Sequence, residues 1–335
     1  MQTQPWISIA QRTPASMFGM VLGLAGIGSA WRVASVAWGL PAVVGELWMA
    51  LAGLVWIVLT VLTIAKWIAA WPAAHDELMH PIQCCFIGLV PVSGMLVAIG
   101  LLPHAHDLAV AMMFLGLAGH LVFSLWRTGE LWRGGRAPDT STPVLYLPAV
   151  AGNFVSAIAL GTLGHADWGI YFLGAGLLTW LAYESIIIQR LLTGSELPLP
   201  LRPTLGIQIA PGAVGAVAWL SVVPPQWAWV AQLMIGYAVL QMLVVLRLSR
   251  WIAQQPFGAG YWAFSFGVTA LATAPLRLLT LPGAAAGESP LRLVAMTTFT
   301  LANILLAVLV LGTLWLLVRG RLLPPASPAP AAAKS

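Results

Sequence analysis

Few groups in this chain could do acid–base or metal chemistry, and they stand where such chemistry is hard to run. Glu184 and His120 lie inside long apolar runs, and Glu46 opens another. A charged group within a membrane-crossing helix is costly and marks function by default. Glu184 therefore has two readings: a carboxylate coupling transport to protons, or a hydrogen-bonded acid near an interface, about one and a half turns from Arg190. The second is simpler. His120 reads in the same way, as a packed and satisfied histidine rather than a proton relay. His104, His106 and Asp107 form an H-x-H-D run in a connecting loop, a weak basis for a metal site. Cys84 and Cys85 are adjacent in an apolar run. Neighbours on a helix point in different directions, so they read as small apolar filler rather than a disulfide. No Gly-rich phosphate loop with lysine and no HExxH occurs. Neither an enzymatic activity nor a cofactor is expected.

The remaining polar groups lie on alternate apolar stretches: Ser16, Ser93, Asn153, Ser156, Gln208, Ser265 and Thr269, interleaved with Phe18, Phe154 and Phe266. Hydroxyls and amides bind ions weakly, which suits conduction, where binding must be favourable enough to admit an ion and loose enough to release it. These residues are the expected lining of a pore.

The elements that must position them follow from composition. Of 335 residues, 60% are hydrophobic and 7% charged, whereas a soluble domain is about 25% charged. Such a chain cannot build a water-soluble surface and belongs in a lipid bilayer. A spanning helix needs about 20 mostly apolar residues. Ten stretches qualify, over 14–31, 44–66, 82–101, 108–126, 144–163, 169–189, 204–222, 226–247, 257–276 and 291–318. Tryptophans flank many of them, including Trp31, Trp67, Trp126, Trp168 and Trp251, as interface-seeking indoles do. The expectation is an all-α integral membrane protein. Its polar N-tail covers 1–13, its ten-helix domain 14–323, and a disordered Pro/Ala-rich C-tail 324–335.

All but three of the 15 lysines and arginines fall on one side of this topology. Arg32, Arg277 and Arg292 are the exceptions. The positive-inside rule then places both termini in the cytoplasm. The net charge of +5 reads as a topology signal, and no nucleic-acid partner is expected.

A proline stands near the start of each odd-numbered stretch: Pro14, Pro81, Pro143, Pro203 and Pro256. The step between them is one helical hairpin, repeated five times. A second break follows at Pro91, Pro148 and Pro211, with Gly267 at the corresponding place in the ninth stretch. Interior proline kinks a helix and frees a carbonyl, which lipid tolerates only beside protein or water. The odd helices are therefore expected to face an internal cavity.

With these residues in view, the sequence resembles the bacterial tellurite-resistance/dicarboxylate transporter family of TehA type, relatives of the plant guard-cell slow anion channels. The blocks that carry the likeness are Pro14-Ala-Ser-Met-Phe-Gly-Met20, Leu145-Tyr-Leu-Pro148 with Asn153-Phe154, Leu205-Gly-Ile-Gln208 with Ala210-Pro211, Gln255-Pro-Phe257, and Phe264-Ser-Phe-Gly267. The resemblance implies five hairpins around a quasi-five-fold central pore. It also implies a homotrimer with one pore per subunit in a bacterial inner membrane. The function implied is an anion channel or channel-like exporter for small inorganic anions. The alternative is a proton-coupled secondary transporter of dicarboxylates or of oxyanions such as tellurite. The resemblance assigns the plug of the pore to Phe266, with Phe18 and Gly19 beside it and Gly19 giving the ring room to move. Gly152, where close relatives carry a second asparagine, and the Cys84-Cys85 pair depart from the pattern and are expected to alter the lining.

Overall fold

The computed structural model describes residues 5–282 and 289–325, so the expected C-tail lies outside the described residues from 326 onward. Among the described residues ten helices are long and apolar enough to cross a membrane: Ala15–Trp38, Ala42–Ala69, Cys84–Leu101, His106–Trp132, Pro143–Thr162, Ala166–Thr193, Leu199–Val222, Pro225–Arg247, Ala259–Leu279 and Pro290–Val318. They are called spans 1 to 10 below. Span 1 runs well past its expected end at residue 31, carrying Arg32 inside the helix. The charge does not stop the helix because it is fully engaged. Arg32 makes a two-pronged pair with Glu46, at 2.8 and 2.7 Å, and donates to the Gly100 carbonyl at 2.7 Å. Span 1 ends instead at Gly39, in the left-handed conformation (φ 70°), whose N–H bonds back to the Ser35 carbonyl.

The hairpins close into two concentric rings. Spans 1, 3, 5, 7 and 9 each pack against the next, and span 9 returns to span 1. Each even span packs on its hairpin partner and on the following odd span. Burial separates the two sets. Between 61% and 83% of the apolar core of each odd span is buried, against 17% to 33% for the even ones. Leu54, Val61, Leu115, Leu178 and Leu311 on the even spans are exposed, as side chains facing hydrocarbon should be. The chain is a multi-pass membrane protein.

The inner ring is tight because small residues let backbones meet. A β-carbon on Gly161 of span 5 would lie 2.3 Å from the Ser221 carbonyl oxygen of span 7, and one on Gly267 would lie 2.9 Å from the Ala210 nitrogen. That second distance corrects one expectation. Gly267 is not a break, since Ser265–Leu279 runs through it as one α-helix. It is the point where span 9 presses on span 7.

The prolines act as expected on winding but not on carbonyl exposure. Span 3 divides at Gly88, three residues before Pro91, into Cys84–Ile87 and Leu89–Leu101. Pro148 sits in a π-helical turn, Leu147–Ala151. Span 7 begins as a 3₁₀ helix, Leu199–Ile209, and becomes α-helical at Ala210, one residue before Pro211. The tighter winding takes up the carbonyl that proline would orphan: Ile207 O accepts from the Ala210 N–H.

The segment before span 1 is itself helical, Pro5–Arg12, and Arg12 donates to the Pro324 carbonyl at 2.6 Å. The two described ends of the chain thus meet on one face. Gly161→Ala is expected to force spans 5 and 7 apart and destabilise the protein by about 1–3 kcal/mol. Gly174→Ala, where a β-carbon meets nothing within 4 Å, should be neutral. Thermal unfolding of the two variants in detergent reads the difference.

Candidate functional site

The inner ring encloses a narrow cavity of about 60 Å³, room for about four water molecules. Every odd span contributes one stripe at helical spacing. Span 1 gives Ser16, Gly19 and Leu22; span 3 gives Phe86 and Leu89; span 5 gives Tyr146, Val150 and Phe154. Span 7 gives Ile207, Ala210 and Val214; span 9 gives Ala259, Trp262 and Phe266. The spacing of three and four residues is that of one helix face. The last residues on the five stripes are Leu22, Leu89, Phe154, Val214 and Phe266, so Phe266 stands in a ring of apolar side chains. On spans 1, 3 and 9 the lining comes from the N-terminal half of the helix, as does that of span 5 apart from Phe154. Helix N-termini carry positive partial charge from their unpaired N–H groups.

The expected lining residues divide into two groups. Ser16, Phe154 and Phe266 line the cavity, and so do Gly19, expected beside the plug, and Pro211, expected as a kink. Ser93, Asn153, Ser156, Gln208, Ser265 and Thr269 do not, because their side chains turn to partners away from it. Ser93 Oγ donates to the Val90 carbonyl at 2.9 Å. Ser265 Oγ donates to Trp262 O at 2.7 Å and Thr269 Oγ1 to Ser265 O at 2.9 Å. In an apolar interior a hydroxyl that returns to its own helix costs less than one left open. Asn153 turns outward, donating to Ala149 O and facing His120 Nε2 of span 4 at 3.3 Å. Gln208 points toward Glu184, at 3.5 Å. The cavity wall is therefore far more apolar than the sequence suggests: Ser16 brings a hydroxyl to it, whereas the Tyr146 hydroxyl donates to Glu184.

The residues around Phe266 also differ from expectation. Phe18 is buried and stands outside the cavity wall. Gly19 shares the cavity with Phe266, but a β-carbon there would meet Trp262, at 3.7 Å. The glycine beside the Phe266 ring is Gly26, whose β-carbon would lie 3.7 Å from Cδ2. It lies two helical turns beyond Gly19 on span 1 and carries no sequence mark that separates it from its neighbours.

The two departures prove peripheral to the cavity. A β-carbon on Gly152 would lie 2.1 Å from the His120 ring, so the missing side chain makes room for that histidine. Cys84 and Cys85 are buried, with sulfurs 4.0 Å apart, and neither lines the cavity. Among the described residues no cluster of three or more His, Cys, Asp or Glu could hold a metal. Tyr146, Trp262, Leu22 and Val150 were not marked in advance. Their signal was the spacing from Ser16 and Phe154 along each stripe.

Residues 12–315 match the family of voltage-dependent anion channels, SLAC1. The chain belongs to that family. It is 34% identical over 309 residues to the tellurite resistance protein TehA homolog of Haemophilus influenzae, covering 92% of both chains. It is 28% identical over 280 residues to the S-type anion channel SLAH3 of Arabidopsis thaliana, covering 80% of this chain and 43% of that one. The family match spans nine of the odd and even stretches completely and most of the tenth, so the five-stripe cavity is a property of the matched region.

The start of span 1, which delivers Ser16 and Gly19 to the cavity, is clamped. Lys66 and Glu77 pair at 2.5 Å, with both side chains largely buried. Lys66 also donates to Thr13 O at 2.7 Å, and Glu77 accepts the Ala15 N–H at 2.7 Å. Breaking a buried pair from one side leaves an uncompensated charge. Glu77→Ala is expected to cost about 3 kcal/mol, read as a lowered unfolding midpoint. Adding Lys66→Met should recover part of that loss.

Proposed function

We propose that this protein is an anion channel or channel-like exporter that passes small anions along the axis of its inner ring, with Phe266 as the gate. The observation that carries the reading is the convergence of five odd spans on one narrow, uncharged cavity whose stripes end in a ring containing Phe266. Membership of the voltage-dependent anion channel family supports it.

The physics of such a lumen favours anions without a charged binding site. N-terminal halves of most of the odd spans face it, so their N–H dipoles make it electropositive. The apolar wall offers little to replace a hydration shell. Weakly hydrated anions such as nitrate then pass at lower cost than strongly hydrated ones. Loose binding also allows release. A phenylalanine ring across a lumen of this width blocks flow sterically and by excluding water. The place of a Gly26 β-carbon beside the ring is filled by Thr269, whose Oγ1 would lie 2.1 Å from it, so the ring must displace packed neighbours to turn.

The similarity to the Haemophilus influenzae protein supports a bacterial plasma-membrane location, and the positive-inside bias supports both termini in the cytoplasm. The contact of Arg12 with Leu323 and Pro324 fits that topology. The exposed apolar faces of the even spans are available to lipid and to copies of the chain in a homotrimer.

The rival is proton-coupled transport of dicarboxylates or oxyanions, with Glu184 as the titrating acid. The test is anion current in reconstituted bilayers. Phe266→Ala is expected to raise chloride and nitrate current on the order of tenfold over wild type, with nitrate favoured. Unchanged current in Phe266→Ala would remove the gate assignment. Silence from both proteins, with dicarboxylate uptake driven by a pH gradient and lost in Glu184→Gln, would establish the rival.

A further inference from the structure

Glu184 lies in the membrane-spanning part of span 6, yet among the described residues no cation pairs with it. Four neutral donors surround its carboxylate. Tyr146 of span 5 donates to Oε2 at 2.5 Å and Trp180 of span 6 to the same oxygen at 2.8 Å. Tyr237 of span 8 donates to Oε1, and Gln208 of span 7 approaches that oxygen at 3.5 Å. A carboxylate accepts about four hydrogen bonds, so this one is saturated. One side chain thereby ties together two successive hairpins of the barrel.

One of the four donors differs from the rest. Tyr146 lines the axial cavity, whereas Trp180, Gln208 and Tyr237 do not. It is fully buried and stands about two turns from Phe154 on the same stripe. Its hydroxyl is drawn outward to Glu184, so the ring is fixed at both ends: by the backbone of span 5 and by the carboxylate behind it. A ring held in this way presents its apolar surface, not its hydroxyl, to whatever occupies the cavity. Released, it could turn its O–H toward the axis and add a donor to a wall that has few.

We propose that Glu184 is a positioning residue for the permeation path: it holds the Tyr146 ring in the cavity wall and so sets which anions that part of the cavity accepts. The selectivity half of this statement rests on the channel reading above; the tether half does not. The acid is then a structural anchor of the lumen and not a carrier of protons.

The two halves are tested separately. Selectivity is measured as the nitrate-to-chloride permeability ratio in the conducting Phe266→Ala background. Glu184→Gln and Tyr146→Phe, added singly, are each expected to change that ratio about threefold, and the two together no more than either alone, as for groups acting through one contact. An unchanged ratio in both, or additive effects, would overturn the selectivity half. A change with Glu184→Gln alone would assign the effect to charge and overturn it as well. The tether is read without transport, by ¹⁹F NMR of protein labelled with 3-fluorotyrosine, which has five tyrosines. The Tyr146 resonance, identified by its loss in Tyr146→Phe, is expected to shift and narrow in Glu184→Gln as the ring gains freedom. A resonance that keeps its position and width would overturn the tether whether or not any current flows.

Discussion

Everything in this protein depends on how closely five helices can approach around one axis. A cavity of only about 60 Å³ allows little error in that distance. Glycine sets it. Gly161 against Ser221, Gly267 against Ala210, and Gly23 and Gly26 against Ser265 and Thr269 bring neighbouring odd spans to contact at their backbones or first side-chain atoms. In hydrocarbon there is no hydrophobic force to press helices together, and close packing must supply the attraction. The same glycines therefore hold the ring together and fix the bore.

The second constraint is that polar groups in the ring must be satisfied internally. It explains why the lumen is so apolar. Each hydroxyl of Ser93, Ser265 and Thr269 bonds a carbonyl of its own helix, and at Pro211 the 3₁₀ winding lets the preceding Ala210 N–H take up the Ile207 carbonyl. The polar capacity of the odd spans goes into stabilising the ring, and little remains for an ion. What the ring shows to its axis is mostly apolar surface.

Several of the charged groups near the span ends are paired. Lys66 with Glu77, Arg190 with Asp139, and Arg202 with Glu196 pair on the basic face. Arg202 also stacks on Trp251 at 4.1 Å. On the opposite face Arg32 is held by Glu46, and Arg277 donates to the Val217 and Leu220 carbonyls at the end of span 7. These contacts lock the ends of the odd spans.

The ten spans, their pairing into hairpins and the buried character of the odd set were legible in the sequence, because hydrophobic length and proline position are local properties. Span ends were less so. Arg32 looked like a boundary until Glu46, distant in the chain, was found to neutralise it. At the cavity, Ser16, Phe154 and Phe266 could be named from type and resemblance. Asn153, Gln208 and Thr269 could not be excluded, because composition cannot say which way a side chain turns. That depends on which neighbour offers a partner: His120 for Asn153, Glu184 for Gln208, the Ser265 carbonyl for Thr269. Likewise Gly26, not Gly19, stands beside the Phe266 ring, since the facing of two helices is fixed by their crossing and not by either sequence alone. The chain determined that a ring of helices would form in a membrane. The tertiary structure decided what the ring shows to its axis, because rotation of each helix is set by its contacts with two neighbours at once.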